Sequence, residues 1–225
     1  MIAVRFAGSA ARQLRSEAAN WTAGPRTVHR GAAPERPPVL SADLWLQVFA
    51  NRNPVSFEIG PGRGHFLLES ARADPQRNFF AVERSRASAR LLEQKLARAG
   101  VSNVRLVAAD ARWVLPMLPG ECVDRFHIQF PDPWWKRRHG RRRLITPWTV
   151  AQLARSLVPG GTVELVTDVG HYFELAARVF AAEPLLEPAE LPHTAQWAST
   201  FARKAQARGS AVWACLYRRR PLGPL

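Results

Sequence analysis

Asp132 stands between Pro131 and Pro133, and is followed by Trp134, Trp135 and the cationic run Lys136, Arg137, Arg138, His139, Gly140, Arg141, Arg142, Arg143. A proline fixes its own φ and restricts the residue before it, so a carboxylate flanked by two of them has little freedom. Two indole rings beside a dense cationic block offer stacking faces for bases and guanidinium forks for phosphates. Each part alone has an ordinary explanation. Pro-Asp-Pro is a common turn, tryptophans pack in cores, and charge runs are usually solvated. Together they point to a site that holds a nucleic-acid base for chemistry.

A second constellation lies upstream, in Glu58-Ile59-Gly60-Pro61-Gly62-Arg63-Gly64. Glycines at alternating positions let a backbone turn tightly and approach a ligand closely. Glu83 and Asp110 follow later apolar runs, and a carboxylate about 20 residues beyond a glycine turn can accept both hydroxyls of a ribose. Either acid also has a plain reading as a helix cap. A dinucleotide fold wants Gly-x-Gly-x-x-Gly, with a helix N-terminus facing a pyrophosphate. Here the spacing is Gly-x-Gly-x-Gly, and Glu58 would repel a pyrophosphate. It suits a cationic amino acid-sulfonium group, so S-adenosylmethionine fits better than NAD, and an NAD-dependent oxidoreductase is disfavoured.

These residues need elements to position them, and the pattern supplies an alternation. Strands are expected at Val55 to Ile59, Phe79 to Val82, Val104 to Ala108, Val123 to Phe130, Thr162 to Thr167 and Ala211 to Tyr217. Helices are expected from Ser41 to Ala50, from the glycine turn to about Ala71, and from Ser85 to Ala99. Others run briefly toward Leu118, from Pro147 to about Leu157, from His171 to Ala182, and near Gln196 to Arg208. Pro159-Gly160-Gly161 reads as a turn and the stretch after Ala182 as irregular. Strands alternating with helices imply an α/β doubly wound, mostly parallel sheet, whose ligands bind outside the strands' carboxyl ends. Residues 39–220 would form this domain, and residues 1–38 a basic, partly disordered arm.

The balance of 32 Lys and Arg against 18 Asp and Glu gives a net charge of +14 in 225 residues, which favours a polyanionic partner, nucleic acid before membrane. A hydrophobic content of 47% excludes global disorder. Codon bias would explain arginine over lysine, but not basic over acidic. Lysine occurs only at 95, 136 and 204, so an ammonium inside the Asp132 segment stands out. Cys122 and Cys215 lack the spacing of a zinc site and are too few for a disulfide framework, which fits a reducing cytoplasm. The arginine-rich amino end superficially resembles a transit peptide, but it reads better as an arm touching nucleic acid.

On these residues the chain resembles the bacterial tRNA (guanine-N7)-methyltransferases. The segment Phe130 to Leu144 is similar to that family's Phe-Pro-Asp-Pro-Trp-x-Lys-x-Arg-His-x-x-Arg-Arg-Leu signature. Glu58-Ile59-Gly60, Asn78 to Glu83, Ala109-Asp110 and Val166-Thr167-Asp168 match in order and spacing. The resemblance implies a class I S-adenosylmethionine-dependent, Rossmann-like fold with a seven-stranded sheet. It implies methyl transfer to N7 of a guanine in the tRNA variable loop. Cofactor contacts are implied for Glu58, Gly60, Gly62, Gly64, Glu83 and Asp110, and the catalytic role for Asp132. Substrate contacts would come from Lys136, Asp168, Trp134, Arg137, Arg138, Arg141, Arg142, Arg143, and the Ser199-Thr200 pair. The chain departs from the family at Ala202, which aligns with a glutamate. The partner would be tRNA, the location cytoplasmic, and the assembly a monomer or homodimer. The alternative is a non-catalytic or differently targeted RNA-binding relative on the same fold.

Overall fold

The computed structural model describes residues 39–134, 143–191, 209 and 211–221, so the expected amino-terminal arm and the helix near 196–208 lie outside the described residues. Five strands alternate with helices. In chain order they are α1 (Leu44–Phe49), β1 (Val55–Ile59), α2 (His65–Ala73), β2 (Asn78–Glu83), α3 (Arg86–Ala99), β3 (Val104–Ala108), α4 (Ala111–Val114), a single 3₁₀ turn (Leu115–Met117), β4 (Val123–Gln129), α5 (Pro147–Ser156) and β5 (Leu157–Thr167). Then come α6 (Gly170–Ala181), β6 (Leu186–Ala189) and β7 (Trp213–Arg219).

The sheet order is β3-β2-β1-β4-β5-β7-β6. Strands β3, β2, β1, β4 and β5 pair in parallel, whereas β7 runs antiparallel to both β5 and β6. The doubly wound, mostly parallel seven-stranded sheet expected from the sequence is therefore the one observed. Its direction of winding reverses between β1 and β4. That reversal opens a crevice at their carboxyl ends, where open α/β sheets bind ligands.

Central strands buried on both faces need apolar residues on both, and β1 and β2 are buried throughout. On one face Phe57 packs against Phe80 and Phe126, with ring centroids 5.1 and 5.2 Å apart, beneath side chains of α1, α5 and α6. On the other face Leu67, Leu92 and Leu106 join α2 and α3 to the sheet. Strand alternation fixes which face each polar residue takes. Phe57, Ile59, Phe126 and Ile128 share the first face, so Glu58, His127 and Gln129 point to the second. Phe66 of α2 confirms this, its ring lying 4.8 Å from that of His127.

Three local features differ from the sequence pattern. β5 starts at Leu157 and contains Pro159-Gly160-Gly161, because the turn is an excursion within the strand: Val123 and Arg125 of β4 face Leu157 and Thr162. The irregular stretch contains the edge strand β6, where Pro188 is tolerated because an edge needs fewer ladder donors. The last strand lies two residues further on than its pattern suggests. No described helix is long and apolar enough to cross a membrane.

Gly64 joins the glycine turn to α2 at φ +65°, and a Cβ there would land on Leu92 Cδ1 of α3. Gly64→Ala should therefore lose about 2 kcal/mol, from left-handed strain plus overpacking. Urea unfolding checks this, and an unchanged midpoint would mean that α3 yields freely.

Candidate functional site

β1, β2, β3 and β4 all deliver a residue to one cavity of about 440 Å³ at their carboxyl ends. Ile59 and Gly60 come from β1 and its turn, Glu83 from β2, Asp110 from the end of β3, and Gln129 from β4. Asp132 and Trp134 complete the wall beyond β4, with Leu144 returning from the far side of residues 135–142. The fixed acid and the glycine turn, 72 residues apart in the chain, thus line the same space.

Gly60, Gly62 and Gly64 all take left-handed φ, +73°, +54° and +65°. At Gly60 and Gly62 an added Cβ would meet nothing within 4 Å, so the turn presents bare backbone to open space. Glu83 holds the turn in place. Its carboxylate accepts from Gly62 N–H at 3.2 Å and from Ser85 N–H at 2.7 Å. Ser85 in turn caps α3 by accepting from Ser88 N–H.

Asp110 caps α4, accepting from Arg112 N–H at 3.0 Å, and pairs with the Arg112 guanidinium at 2.6 Å. Burial alone would raise the Asp110 carboxyl, but the Arg112 hydrogen bonds and charge outweigh it and hold it below the usual range. Capping and cavity lining are therefore compatible in the same residue. Arg112 contacts both oxygens of the carboxylate, so a ligand hydroxyl would have to share the site with the guanidinium.

Glu58 behaves differently. It is 4% exposed and is not among the cavity's lining residues, and its Oε2 has no hydrogen-bond partner among the described residues. Burial, with the charge of Glu83 adding to it, pushes its pKa up to about 8. A buried carboxylate oxygen without a partner suits a cationic ligand group better than an anionic one.

The Asp132 turn is strained as well as proline-bounded. Phe130 (φ 51°) and Trp134 (φ 46°) are left-handed non-glycine residues on either side of it. Such conformations cost on the order of 1–3 kcal/mol each and cluster at functional sites. Arg143 Nη2 donates to the Trp134 carbonyl at 3.4 Å, tying the described residues on either side of 135–142 to each other. Asp168 is exposed at the end of β5 and does not line the cavity. Lys136, Arg137, Arg138, Arg141, Arg142, Ser199 and Thr200 lie outside the described residues.

Sequence reasoning missed Gln129, Arg84 and Arg112, which also line the cavity. Arg84 and Arg112 could have been found from their places one residue after Glu83 and two after Asp110. Gln129 gave no signal, because a polar residue closing an apolar strand is common.

Residues 52–215 match the family model described as "Putative methyltransferase". A tRNA (guanine-N(7)-)-methyltransferase from Mycobacterium avium is 38% identical over 194 residues, covering 83% of this chain and 74% of that one. One from Cupriavidus necator is 36% identical over 185 residues, covering 78% and 70%. Among solved structures, the 16S rRNA methyltransferase KamB is 17% identical with a TM-score of 0.58, covering 80% of this chain and 94% of that one. The 16S rRNA (adenine(1408)-N(1))-methyltransferase from Catenulisporales acidiphilia is 18% identical with a TM-score of 0.56, covering 83% and 95%. At such identities these structures speak for the fold alone.

Folded Glu58 keeps its proton to about pH 8, whereas an unperturbed glutamate releases it near 4.5. Between those values the folded state binds the extra proton. Stability of the ligand-free protein should therefore be highest below that window, fall as pH rises through it, and level off above. Glu58→Gln should flatten the fall. Urea midpoints measured from pH 5 to pH 9 decide it, and parallel curves for both proteins would refute the assignment.

Proposed function

The chain belongs to the tRNA (guanine-N7)-methyltransferase family, and on that premise we propose that it transfers a methyl group to N7 of a guanine in tRNA. The observation that carries this reading is the shared cavity of Asp132 and the glycine turn. S-adenosylmethionine is the methyl donor, supplying an electrophilic methyl on a sulfonium. The residues present fit it. The glycine turn offers bare backbone, Glu58 an unpartnered buried carboxylate oxygen, and Glu83 and Asp110 fixed carboxylates at successive strand ends.

Guanine N7 already has a free lone pair, so no proton need be removed before attack. The chain's task is to hold the purine and stabilise the positive charge that grows on it. That task is assigned to Asp132, which lines the cavity. Its carboxylate would accept from guanine N1–H and the exocyclic amine, fixing the base and pushing electron density toward N7. Asp132 thereby anchors the base and compensates charge, with no role as a base. Pro131 and Pro133 limit the backbone that carries the carboxylate.

The cationic run would hold the tRNA backbone, through Lys136, Arg137, Arg138, Arg141, Arg142 and Arg143, while Trp134 supplies a face for stacking. Asp168 and the Ser199-Thr200 pair are assigned to the substrate on family resemblance. The reading extends to one methyltransferase domain over 39–220, preceded by a basic arm and working in the cytoplasm as a monomer or homodimer. Two free cysteines, both partly buried, suit a reducing compartment.

Asp132→Asn should leave S-adenosylhomocysteine binding intact and slow methyl transfer to unmodified tRNA by about two orders of magnitude or more. Mass-spectrometric nucleoside analysis of the tRNA, before and after incubation with protein and S-adenosylmethionine, is the readout. Absence of 7-methylguanosine with the wild-type protein would overturn the function. Wild-type turnover in the variant would remove Asp132 from the mechanism.

A further inference from the structure

Gln129 is 92% buried yet lines the cavity, and neither its Nε2 nor its Oε1 has a hydrogen-bond partner among the described residues. A buried amide with both ends unsatisfied is rare in folded proteins, because apolar surroundings penalise each unmade bond. Where such a group sits in a cavity wall, a ligand is the natural partner. We infer that Gln129 binds the amino-acid end of S-adenosylmethionine, its amide nitrogen donating to the α-carboxylate and its amide oxygen accepting from the α-ammonium.

Three observations select that end of the molecule. Cavity residues follow the strand order, with Asp110 at β3, Glu83 at β2, Gly60 at β1 and Gln129 at β4. At about 4.8 Å between neighbouring strands, that row spans about 14 Å, enough to lay out an extended nucleoside and its substituent. Glu83 suits the ribose, so the amino-acid end falls at β1 and β4.

The second observation is Glu58. It shares the sheet face of Gln129, and Ile59 pairs with Ile128, which places Gln129 diagonally across from Glu58. Glu58 does not line the cavity, but its buried Oε2 has no partner among the described residues and puts an acidic group beside the place assigned to the ammonium.

The third is the shortage of donors. The glycine N–H groups already have partners within the protein, on β2 or in the turn itself. Gly60 N–H donates to Val82 O, Gly62 N–H to Glu83, and Gly64 N–H to Pro61 O. A carboxylate arriving there needs another donor, and the Gln129 amide is the buried one in the wall with no prior partner.

This inference rests on the cofactor reading above, and titration calorimetry on the full chain separates the two. The probes are S-adenosylhomocysteine and 5′-methylthioadenosine, which keeps the nucleoside and sulfur but lacks the amino acid. Gln129→Leu should weaken S-adenosylhomocysteine binding by roughly 10- to 100-fold, as for a lost hydrogen bond to a charged group, and leave 5′-methylthioadenosine binding unchanged.

Gln129→Glu, which keeps an acceptor but turns the donor into a like charge, should weaken S-adenosylhomocysteine at least as much. A ligand-free Gln129→Leu protein should melt no lower than wild type, because an apolar side chain leaves no amide unsatisfied. Equal losses for both probes, no loss for either, or a rise confined to the KM for tRNA would each overturn the inference. Failure of the wild-type protein to bind S-adenosylhomocysteine would instead overturn the cofactor reading.

Discussion

The clasp that Glu83 makes with two backbone N–H groups is the constraint on which the cavity depends. One oxygen takes Gly62 and the other takes Ser85, so a single carboxylate ties the glycine turn after β1 to the cap of α3 after β2. Glu58 and Glu83 share a sheet face on adjacent strands, and two buried carboxylates that close cannot both ionise cheaply. The fold separates them by unequal solvation. Glu83 has two backbone donors, whereas Glu58 is left with an unpartnered oxygen and holds its proton to about pH 8. In the proposed reading, that imbalance prepares one acid to shape the turn and the other to meet a cation.

The same economy governs the opposite wall. Pro131 and Pro133 restrict the Asp132 turn, but the backbone on both sides must also enter the left-handed region, at Phe130 and at Trp134. Neither residue has glycine's freedom, so surrounding contacts must hold them there. Phe130 N–H donates to Val166 O at 2.7 Å, extending the ladder to β5, and Arg143 closes the other side on the Trp134 carbonyl. Trp134 and Leu144 both line the cavity, so the described chain on either side of residues 135–142 borders it.

Much of this was legible in the sequence, and the residues show why. The β1-turn-α2 passage announces itself through alternating glycines, and Glu83 and Asp110 through their position after apolar runs. What stayed hidden is three-dimensional. β6 contains Pro188, and only its place at the sheet edge makes that tolerable. Residues 159–161 carry turn chemistry, and nothing local reveals that β5 resumes on the same partner after the excursion. The burial of the Glu58 carboxylate and the place of Gln129 in the cavity wall are likewise set by the fold. Burial and hydrogen-bond exhaustion decide such roles, and neither has a sequence signature.

The charge distribution carries the last step. A chain of net charge +14 brings Glu83, Asp110 and Asp132 to one cavity, with Glu58 just behind it. Such a cavity, lined also by Arg84 and the Asp110-paired Arg112, offers acceptors to cations and hydrogen-bond-donating base edges, and in the proposed reading the arginine run takes the phosphates. For the proposed substrates this sorts one polyanion into two parts, its backbone held outside and its base admitted. Methyl transfer then moves a positive charge from sulfonium to purine within one acidic enclosure, so the total charge inside does not change. The residues nearest the purine should therefore matter to the rate, and those nearest the amino-acid end to cofactor affinity. In the proposed reading, Asp132 and Gln129, three residues apart at the end of β4, divide those two tasks between them.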